Sequence, residues 1–216
     1  MEVSRIRALR GPNLWSRHTA IEVIITCTPD EQGLSPQHPI EQQLRRIFPE
    51  VGPFDSVRPG QTISMAHALE KVTLGLQTQA GCPVSFSRTT PTQEAGVYQV
   101  VVEYSEESVG RLALDLAEQL CKAAVTGAGY DLEAAIAQLH ELNEDVRLGP
   151  STGAIVDAAL ARGVPIRRLT DGSLVQFGWG AKQRRIQAAE IDSTSAIAES
   201  IAQDKELTKK LLHAAG

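Results

Sequence analysis

The amino-acid sequence predicts an α+β fold in which helices pack on an antiparallel sheet. Over residues 1–149, strand-like and helix-like segments come in pairs, in the order β-β-α-α-β-β-α-α. The strand pairs look like hairpins, which favours antiparallel pairing with helices layered on the sheet. The chain has 216 residues, of which 42% are hydrophobic and 22% charged, as in ordinary soluble globular domains that bury a core.

The first two strands are predicted from their apolar patterns. In "EVSRIRAL" apolar residues alternate with arginines, and "TAIEVIITCT" is rich in β-branched residues. The intervening "RGPNLWS" at 10–16 breaks the strand with Gly-Pro-Asn. Its polar Asn13 beside Trp15 fits either a ligand contact or a plain strand-exit turn with the ring in the core. Residues 29–39 contain three prolines and a glycine, and are predicted to be a loop.

Helices and two more strands are predicted over residues 39–146. "PIEQQLRRIFP" is a short amphipathic helix that begins with a proline, and residues 62–81 form a longer helix with Gly81 as its C-cap. "CPVSFSR" and "GVYQVVVEYS" are predicted strands. Leucines at helical spacing predict two further helices, over 106–126 and 132–146.

The "RLGPST" segment at 147–152 marks a boundary, because its Gly-Pro pair stops one helix and its Ser-Thr pair can cap the next. We therefore divide the chain into domains 1–149 and 150–216. The second begins with a helix, continues with three short strands ("VPIRRL", "SLVQFGW" and "RRIQAAEI") and ends with helices over 195–203 and 204–215. Because so few residues give a marginal core, we expect this part to be the incomplete start of a larger domain.

Composition and motifs argue against several classes of protein. The net charge of -5 argues against general nucleic-acid binding. Three widely spaced cysteines without a CxxC pair disfavour a disulfide framework or a zinc site, and favour buried thiols in a reducing cytoplasm. No signal peptide and no membrane-spanning apolar run is visible. Walker and GxGxxG motifs are absent, so "GWG" at 178–180 fits a tight strand connection better than a phosphate loop.

Two groups of polar residues are candidates for a site. His67 and Glu70 lie three residues apart on one predicted helix, so they share a face and could bind a metal or relay a proton. No second His or Cys stands near them, which leaves a plain polar helix face as the alternative. Arg88 follows a predicted strand, and either grips a carboxylate bidentately or is an ordinary surface arginine. No catalytic triad, paired-carboxylate site or metal cluster is evident.

A series of collinear segments carries a resemblance to a known family. The segments are "LRGPNLWS" from Leu9, "AHALEKVTLGLQTQAG", "SRTT", "GVYQVVVEY", "LGPST", "VQFGWG", "RRIQAAEIDSTS" and "DKELTKKLLHAAG". Together they resemble the cyanophycin synthetases over nearly the whole chain. Two positions depart from the family pattern. Lys71 stands where the family often has a second histidine, and Thr90 replaces an arginine of the family's "GRTR" segment.

The resemblance implies an ATP-dependent ligase that builds a poly-aspartate backbone with arginine on each side chain. In this family an ATP-grasp domain activates the backbone carboxylate as an acyl phosphate, aspartate attacks it, and a Mur-ligase-like domain adds arginine. Residues 1–149 would hold the polymer, and 150–216 would be the incomplete opening segment of the α/β ATP-grasp domain. ATP and Mg²⁺ would serve the parent enzyme, and neither is expected to bind these residues, in which we predict no catalytic or metal-binding group. A cytoplasmic homo-oligomer is expected.

A zwitterionic polymer needs charges of both signs on the surface that holds it. The polymer-binding candidates are Arg10, His67, Glu70, Lys71 and Arg88. Two alternatives stay open: a structural module that assembles the oligomer without touching substrate, and a different ATP-grasp amino-acid ligase. Convergence of the five candidates on one groove would favour polymer binding, and their dispersal would favour a structural module.

Overall fold

The computed structural model describes residues 1–52, 54, 63–188 and 190–215. The chain divides into two compact units, Met1–Arg147 (unit 1) and Leu148–Gly216 (unit 2). In both units the strands pair antiparallel and helices accompany the sheet. The α+β class predicted from the sequence is therefore confirmed.

Unit 1 contains a four-stranded antiparallel sheet in the order β1-β2-β4-β3. Its strands are β1 (Glu2–Leu9), β2 (Ala20–Thr26), β3 (Ser87–Pro91) and β4 (Val97–Glu103). Its helices are α1 (Pro39–Ile47), α2 (Met65–Gln79), α3 (Glu107–Thr126) and α4 (Leu132–Val146). Strands β1 and β3 form the two edges of this sheet.

One face of the sheet belongs to the core of unit 1. The core-facing residues of β2 are Ile21, Val23 and Ile25, which alternate along the strand. In β4, Val100 and Val102 face the same core. Contacts of α2 with β3 and β4, and of α3 with β2, cover this face of the sheet. The β-branched residues that predicted β2 therefore provide the buried side of the sheet.

The opposite face of the sheet, which we call the open face, carries mainly polar and charged side chains. Its residues alternate with the core-facing ones and include Arg5, Arg7, Glu22, Ile24, Arg88, Thr90, Gln99, Val101 and Glu103. The cross-strand register aligns Arg7 with Glu22, Glu22 with Val101, and Val101 with Arg88. The middle-strand residues Glu22 and Val101 are buried, whereas the arginines of both edge strands are exposed.

The predicted strand "CPVSFSR" is wrong in its position, because β3 begins only at Ser87. The backbone N–H of Cys82 donates to the Gln77 carbonyl, which completes the turn after α2. The N–H groups of Ser85 and Phe86 donate to the Glu103 carboxylate at 2.9 and 2.8 Å, so a side chain takes the place of a ladder partner. Arg88 consequently lies inside β3 and does not follow a strand.

Among its described residues, unit 2 combines a second four-stranded antiparallel sheet, in the order β5-β6-β7-β8, with three α-helices. The strands are β5 (Ile166–Arg168), β6 (Leu174–Phe177), β7 (Arg184–Gln187) and β8 (Glu190–Ile191). The helices are α5 (Pro150–Ala161), α6 (Ala196–Gln203) and α7 (Lys205–Ala215). The single strand predicted from "RRIQAAEI" is two paired strands, because Ala188 adopts a left-handed φ of 53° between them. The ATP-grasp assignment of this segment stays a prediction.

Candidate functional site

The loop between β1 and β2 is held in shape by one asparagine. The Asn13 Oδ1 accepts hydrogen bonds from the backbone N–H groups of Trp15 and Ser16, at 2.9 and 3.0 Å. Its Nδ2 donates to the carbonyls of Gly11 and His18, at 3.1 and 2.9 Å. With both ends of its amide engaged, Asn13 fixes the backbone that carries the Trp15 ring.

Arg88 meets this loop on the open face. Its guanidinium carbon lies 5.9 Å from the centroid of the Trp15 ring, within the range of a cation–π contact. Its neighbours Ser87 and Thr89 both donate hydrogen bonds to Glu70 of α2, so the alternation of the strand points Arg88 the other way. Among the described residues Arg88 has no carboxylate partner, and its donors are available to a ligand.

Two buried carboxylates of the open face are already engaged within the protein. Glu22 accepts hydrogen bonds from Arg7 and from the side chain of Gln99. Glu103 accepts the two backbone N–H groups before β3, and its Oε1 lies 3.1 Å from the Nδ1 of His18. Because these acids are satisfied, the charge that the open face offers to a ligand is mainly positive, although the chain as a whole is acidic.

His67 has a structural position on the helical side of the sheet. It is 4% exposed, and its Nδ1 accepts the backbone N–H of Ser64 at 3.1 Å, as part of a capping box at the start of α2. Its ring meets Tyr98 edge to face, with centroids 5.7 Å apart. Burial, and then the nearby Lys71 charge, lower the pKa of His67 to about 4. The imidazole is therefore neutral at pH 7 and serves the helix start.

Glu70 joins α2 to the edge strand β3. It accepts hydrogen bonds from the hydroxyl groups of Ser87, at 2.7 Å, and of Thr89. Burial raises the pKa of the Glu70 carboxyl, against the opposing effect of these hydrogen bonds. Its neighbour Lys71 places its Nζ 5.0 Å from the centroid of the Phe54 ring. Both side chains thus contact the protein's own groups.

Arg10 connects the β1–β2 loop to the start of α3. Its Nε and one terminal nitrogen donate to the two oxygens of Glu107, at 2.6 and 3.3 Å. Arg111, one turn further along α3, donates to the same carboxylate at 3.0 Å. The hydrogen bond from Arg10 is the main cause that lowers the pKa of Glu107. Arg10 therefore has a carboxylate partner of its own.

The five sequence-predicted residues do not form one groove. Arg88 lies on the open face, and Arg10 lies in the β1–β2 loop against the start of α3. The three α2 residues lie on the other side of the sheet. The sequence did not single out Arg5, Glu22 or Glu103 of the open face. The alternation in "EVSRIRAL" contained the signal for Arg5, but assigning it to the face of Arg88 requires the order of the strands.

No group of three or more His, Cys, Asp or Glu side chains that could hold a metal ion occurs within the part of the chain that the structure describes. Within the same ranges, no helix is both long and apolar enough to cross a membrane.

Comparison with known proteins finds one family in the central part of unit 1. Residues 49–126 match the model of a family described as the cyanophycin synthase-like N-terminal domain. This segment of unit 1 is therefore similar to that domain. Four of the five candidates predicted from the sequence, the three on α2 and Arg88 on β3, fall inside the matched residues, whereas Arg10 and the Trp15 loop precede them.

Curated relatives extend the similarity to the whole chain. Proteins named cyanophycin synthetase from Trichormus variabilis and from a Nostoc species are each 36% identical over 231 aligned residues. One from Geminocystis herdmanii is 34% identical over 233. Each alignment covers 100% of this chain and 26% of the relative, so the chain spans about a quarter of the length of these proteins.

Proposed function

We propose that this chain is the polymer-holding N-terminal part of a cytoplasmic ATP-dependent ligase that extends arginine-bearing poly-aspartate. The observation that carries the proposal is the similarity of the whole chain to proteins named cyanophycin synthetase. In this proposal aspartate, arginine and the polymer are the partners of the parent enzyme. The 216 residues contribute a surface for the polymer, and the ligation chemistry lies elsewhere in the enzyme.

The open face supports this role through Arg88. Each unit of the proposed polymer carries a carboxylate, and Arg88 presents a guanidinium that no carboxylate of the described residues occupies. The Trp15 ring against it orients the planar group, so less freedom is lost when a ligand binds. A hydrogen bond between ionised partners of this kind contributes about 1.5–3 kcal/mol.

ATP and Mg²⁺ belong to the parent enzyme in this proposal. ATP would supply the phosphoryl group that activates the growing chain's carboxylate. The described residues lack a cluster of acids that would suit Mg²⁺. We expect calorimetry with magnesium-ATP to detect no micromolar binding to the 216-residue chain, and a micromolar dissociation constant, about 8 kcal/mol, would contradict this assignment.

The direct test is binding of a multi-unit arginine-bearing poly-aspartate oligomer to Arg88→Ala. We expect the substitution to weaken binding by about 1.5–3 kcal/mol, because a charge-assisted hydrogen bond is lost. Raising the salt concentration should weaken binding by the unsubstituted chain, since the contact is electrostatic. Calorimetry at two salt concentrations measures both effects.

Arg46→Ala is the matched control, because it removes an exposed arginine from α1, on the helical side of unit 1. The melting temperature of Arg88→Ala should change little, since an exposed charge contributes little stability. Equal affinities for Arg88→Ala and the unsubstituted chain would remove Arg88 from the site. A large fall in melting temperature would show instead that Arg88 is structural.

The second candidate is a structural or oligomerisation module of a different ATP-grasp amino-acid ligase. The dispersal of the five candidates favours it, as do two exposed apolar side chains: Ile197 of α6 is 73% exposed and Leu212 of α7 is 67% exposed. Analytical ultracentrifugation separates the two proposals. Concentration-dependent association that Leu212→Ser abolishes, together with no affinity for the oligomer, would favour the assembly role.

A further inference from the structure

Two arginines without a carboxylate partner among the described residues lie at opposite edges of the open face. Arg5 is on β1, where it aligns with Ile24, and Arg88 is on β3, where it aligns with Val101. Both side chains are exposed, and neither has a carboxylate partner among the residues described. Each therefore offers a full set of guanidinium donors to a ligand.

The charges between these two arginines are neutralised within the protein. Arg7 pairs with Glu22, and Glu22 also accepts from Gln99, so the polar groups between the two edges are satisfied. Within the part of the chain that the structure describes, a ligand along β1 alone would meet one guanidinium without a carboxylate partner, and a ligand along β3 alone would also meet one. A ligand that crosses the strands meets both.

The spacing of the strands sets the length of such a ligand. Strands β1 and β3 are three neighbour spacings apart, which is about 14 Å, and Arg5 is offset from Arg88 by about 7 Å along the strands. The diagonal between their backbones is therefore roughly 16 Å. In an extended peptide, groups on one side repeat about every 7 Å, so residues i and i+4 are about 14 Å apart.

We propose that the open face binds an extended carboxylate-bearing chain across the strands, anchored by Arg88 at one edge and Arg5 at the other. Flexible arginine side chains absorb the remaining difference in length, and a ligand of roughly five or more residues reaches both anchors. The proposal rests on the proposed function for the identity of this chain as arginine-bearing poly-aspartate. It goes further by assigning a second anchor, an orientation and a minimum length.

The test is a length series, with oligomers of two, four, six and eight aspartate-arginine units titrated calorimetrically into the 216-residue chain. Affinity should rise most steeply between four and six units, because the second contact becomes intramolecular once the oligomer spans both anchors. Arg5→Ala should lower the affinity for the eight-unit oligomer by about tenfold and leave the affinity for the two-unit oligomer unchanged. Arg88→Ala should lower the affinity for both oligomers. Arg46→Ala controls for the loss of one positive charge.

A parallel series of unsubstituted poly-aspartate separates this inference from the proposed function. If long arginine-bearing oligomers bind but Arg5→Ala has no effect at any length, the second anchor is wrong and the proposed function stands. If only unsubstituted poly-aspartate binds, with the expected dependence on length and Arg5, the inference stands and the proposed polymer is wrong. Absence of binding in both series overturns both.

Discussion

Units 1 and 2 bury their apolar residues to very different degrees. In unit 1 the inner face of the sheet and the helices share one continuous core, with fully buried side chains such as Phe48, Leu69 and Leu120. In unit 2 the buried apolar cluster consists of Val156, Val175 and Ile186 among the residues described. Both units have four-stranded antiparallel sheets, so the strand count does not explain the difference.

The difference lies in which elements pack against the apolar side of each helix and sheet. In unit 1, α2 and α3 pack against each other and on the sheet, which closes the core on several sides. In unit 2, apolar residues of α6 and α7 remain exposed, including Ile197, Leu211 and Leu212. A helix adds stability to a fold mainly by burying its apolar side, so unit 1 should be the stable part of the chain.

The largest expected effect is on the folding of the separated units. A chain of residues 1–147 should melt in one cooperative transition, because it retains its whole core. Residues 148–216 alone should melt without a sharp transition, because their buried cluster is small. Near- and far-ultraviolet circular dichroism of both pieces measures this. A molten 1–147 chain would show that its core depends on unit 2.

The next effect concerns a close approach inside unit 1. A Cβ at Gly110 of α3 would lie 2.6 Å from the Cβ of Tyr104, so Gly110→Ala forces α3 away from Tyr104. We expect a loss of about 3 kcal/mol in the free energy of unfolding, at the upper end for overpacking. Urea denaturation of the 216-residue chain provides the value.

Gly153→Ala in α5 of unit 2 is the matched control. The nearest atom to its added Cβ is the Leu148 carbonyl oxygen, 3.7 Å away, which is ordinary contact. Alanine favours the helix over glycine, so this substitution should stabilise α5 by about 0.5–1 kcal/mol. Equal effects at both glycines would show that unit 1 is packed no more tightly than unit 2.

The third effect is a dependence of unit 1 stability on pH. The ordinary pKa of a histidine side chain is 6.5, and the pKa of His67 in the folded chain is about 4. Between these two pH values the unfolded chain therefore binds more protons than the folded chain. Stability should therefore fall as pH falls from 6.5 towards 4, by roughly 2 kcal/mol at pH 5. Glu70, whose pKa is raised by burial, acts in the opposite direction over the acid range and offsets part of this loss.

His67→Gln isolates the histidine's contribution to this pH dependence. A glutamine oxygen can accept the Ser64 N–H in the same capping box but does not titrate. The variant should lose less stability between about pH 6.5 and 5 than the unsubstituted chain, while Glu70 with its partners Ser87 and Thr89 is retained in both. Denaturation at several pH values gives both curves, and identical slopes would contradict the assignment to His67.

The fold could be predicted from the sequence wherever a periodic pattern was uninterrupted. The alternation in β1, the β-branched run in β2 and the leucines of α3 gave the correct element types, because each pattern places its apolar residues on one side of the element. The position of β3 could not be predicted from local pattern. Its start depends on the Glu103 carboxylate, which lies far away in sequence and takes the N–H groups of Ser85 and Phe86.

The site was less predictable, because its geometry depends on contacts between distant segments. Arg88 was selected from the sequence, but its aromatic neighbour, Trp15, precedes β2 in the chain while Arg88 follows it. His67 and Glu70 were selected as a polar helix face, yet one caps α2 and the other joins α2 to β3. Spacing along a helix identifies a shared face and does not reveal what already occupies it.

The two tryptophans of the chain are divided between its two units. Trp15 contacts Arg88 in unit 1, and Trp179, which is 50% exposed, lies in unit 2. Each unit thus contains one tryptophan, and Trp179→Phe would leave a tryptophan emission that comes from Trp15 alone. Because the indole touches the guanidinium that a carboxylate would engage, its wavelength and intensity would report occupancy without any added dye.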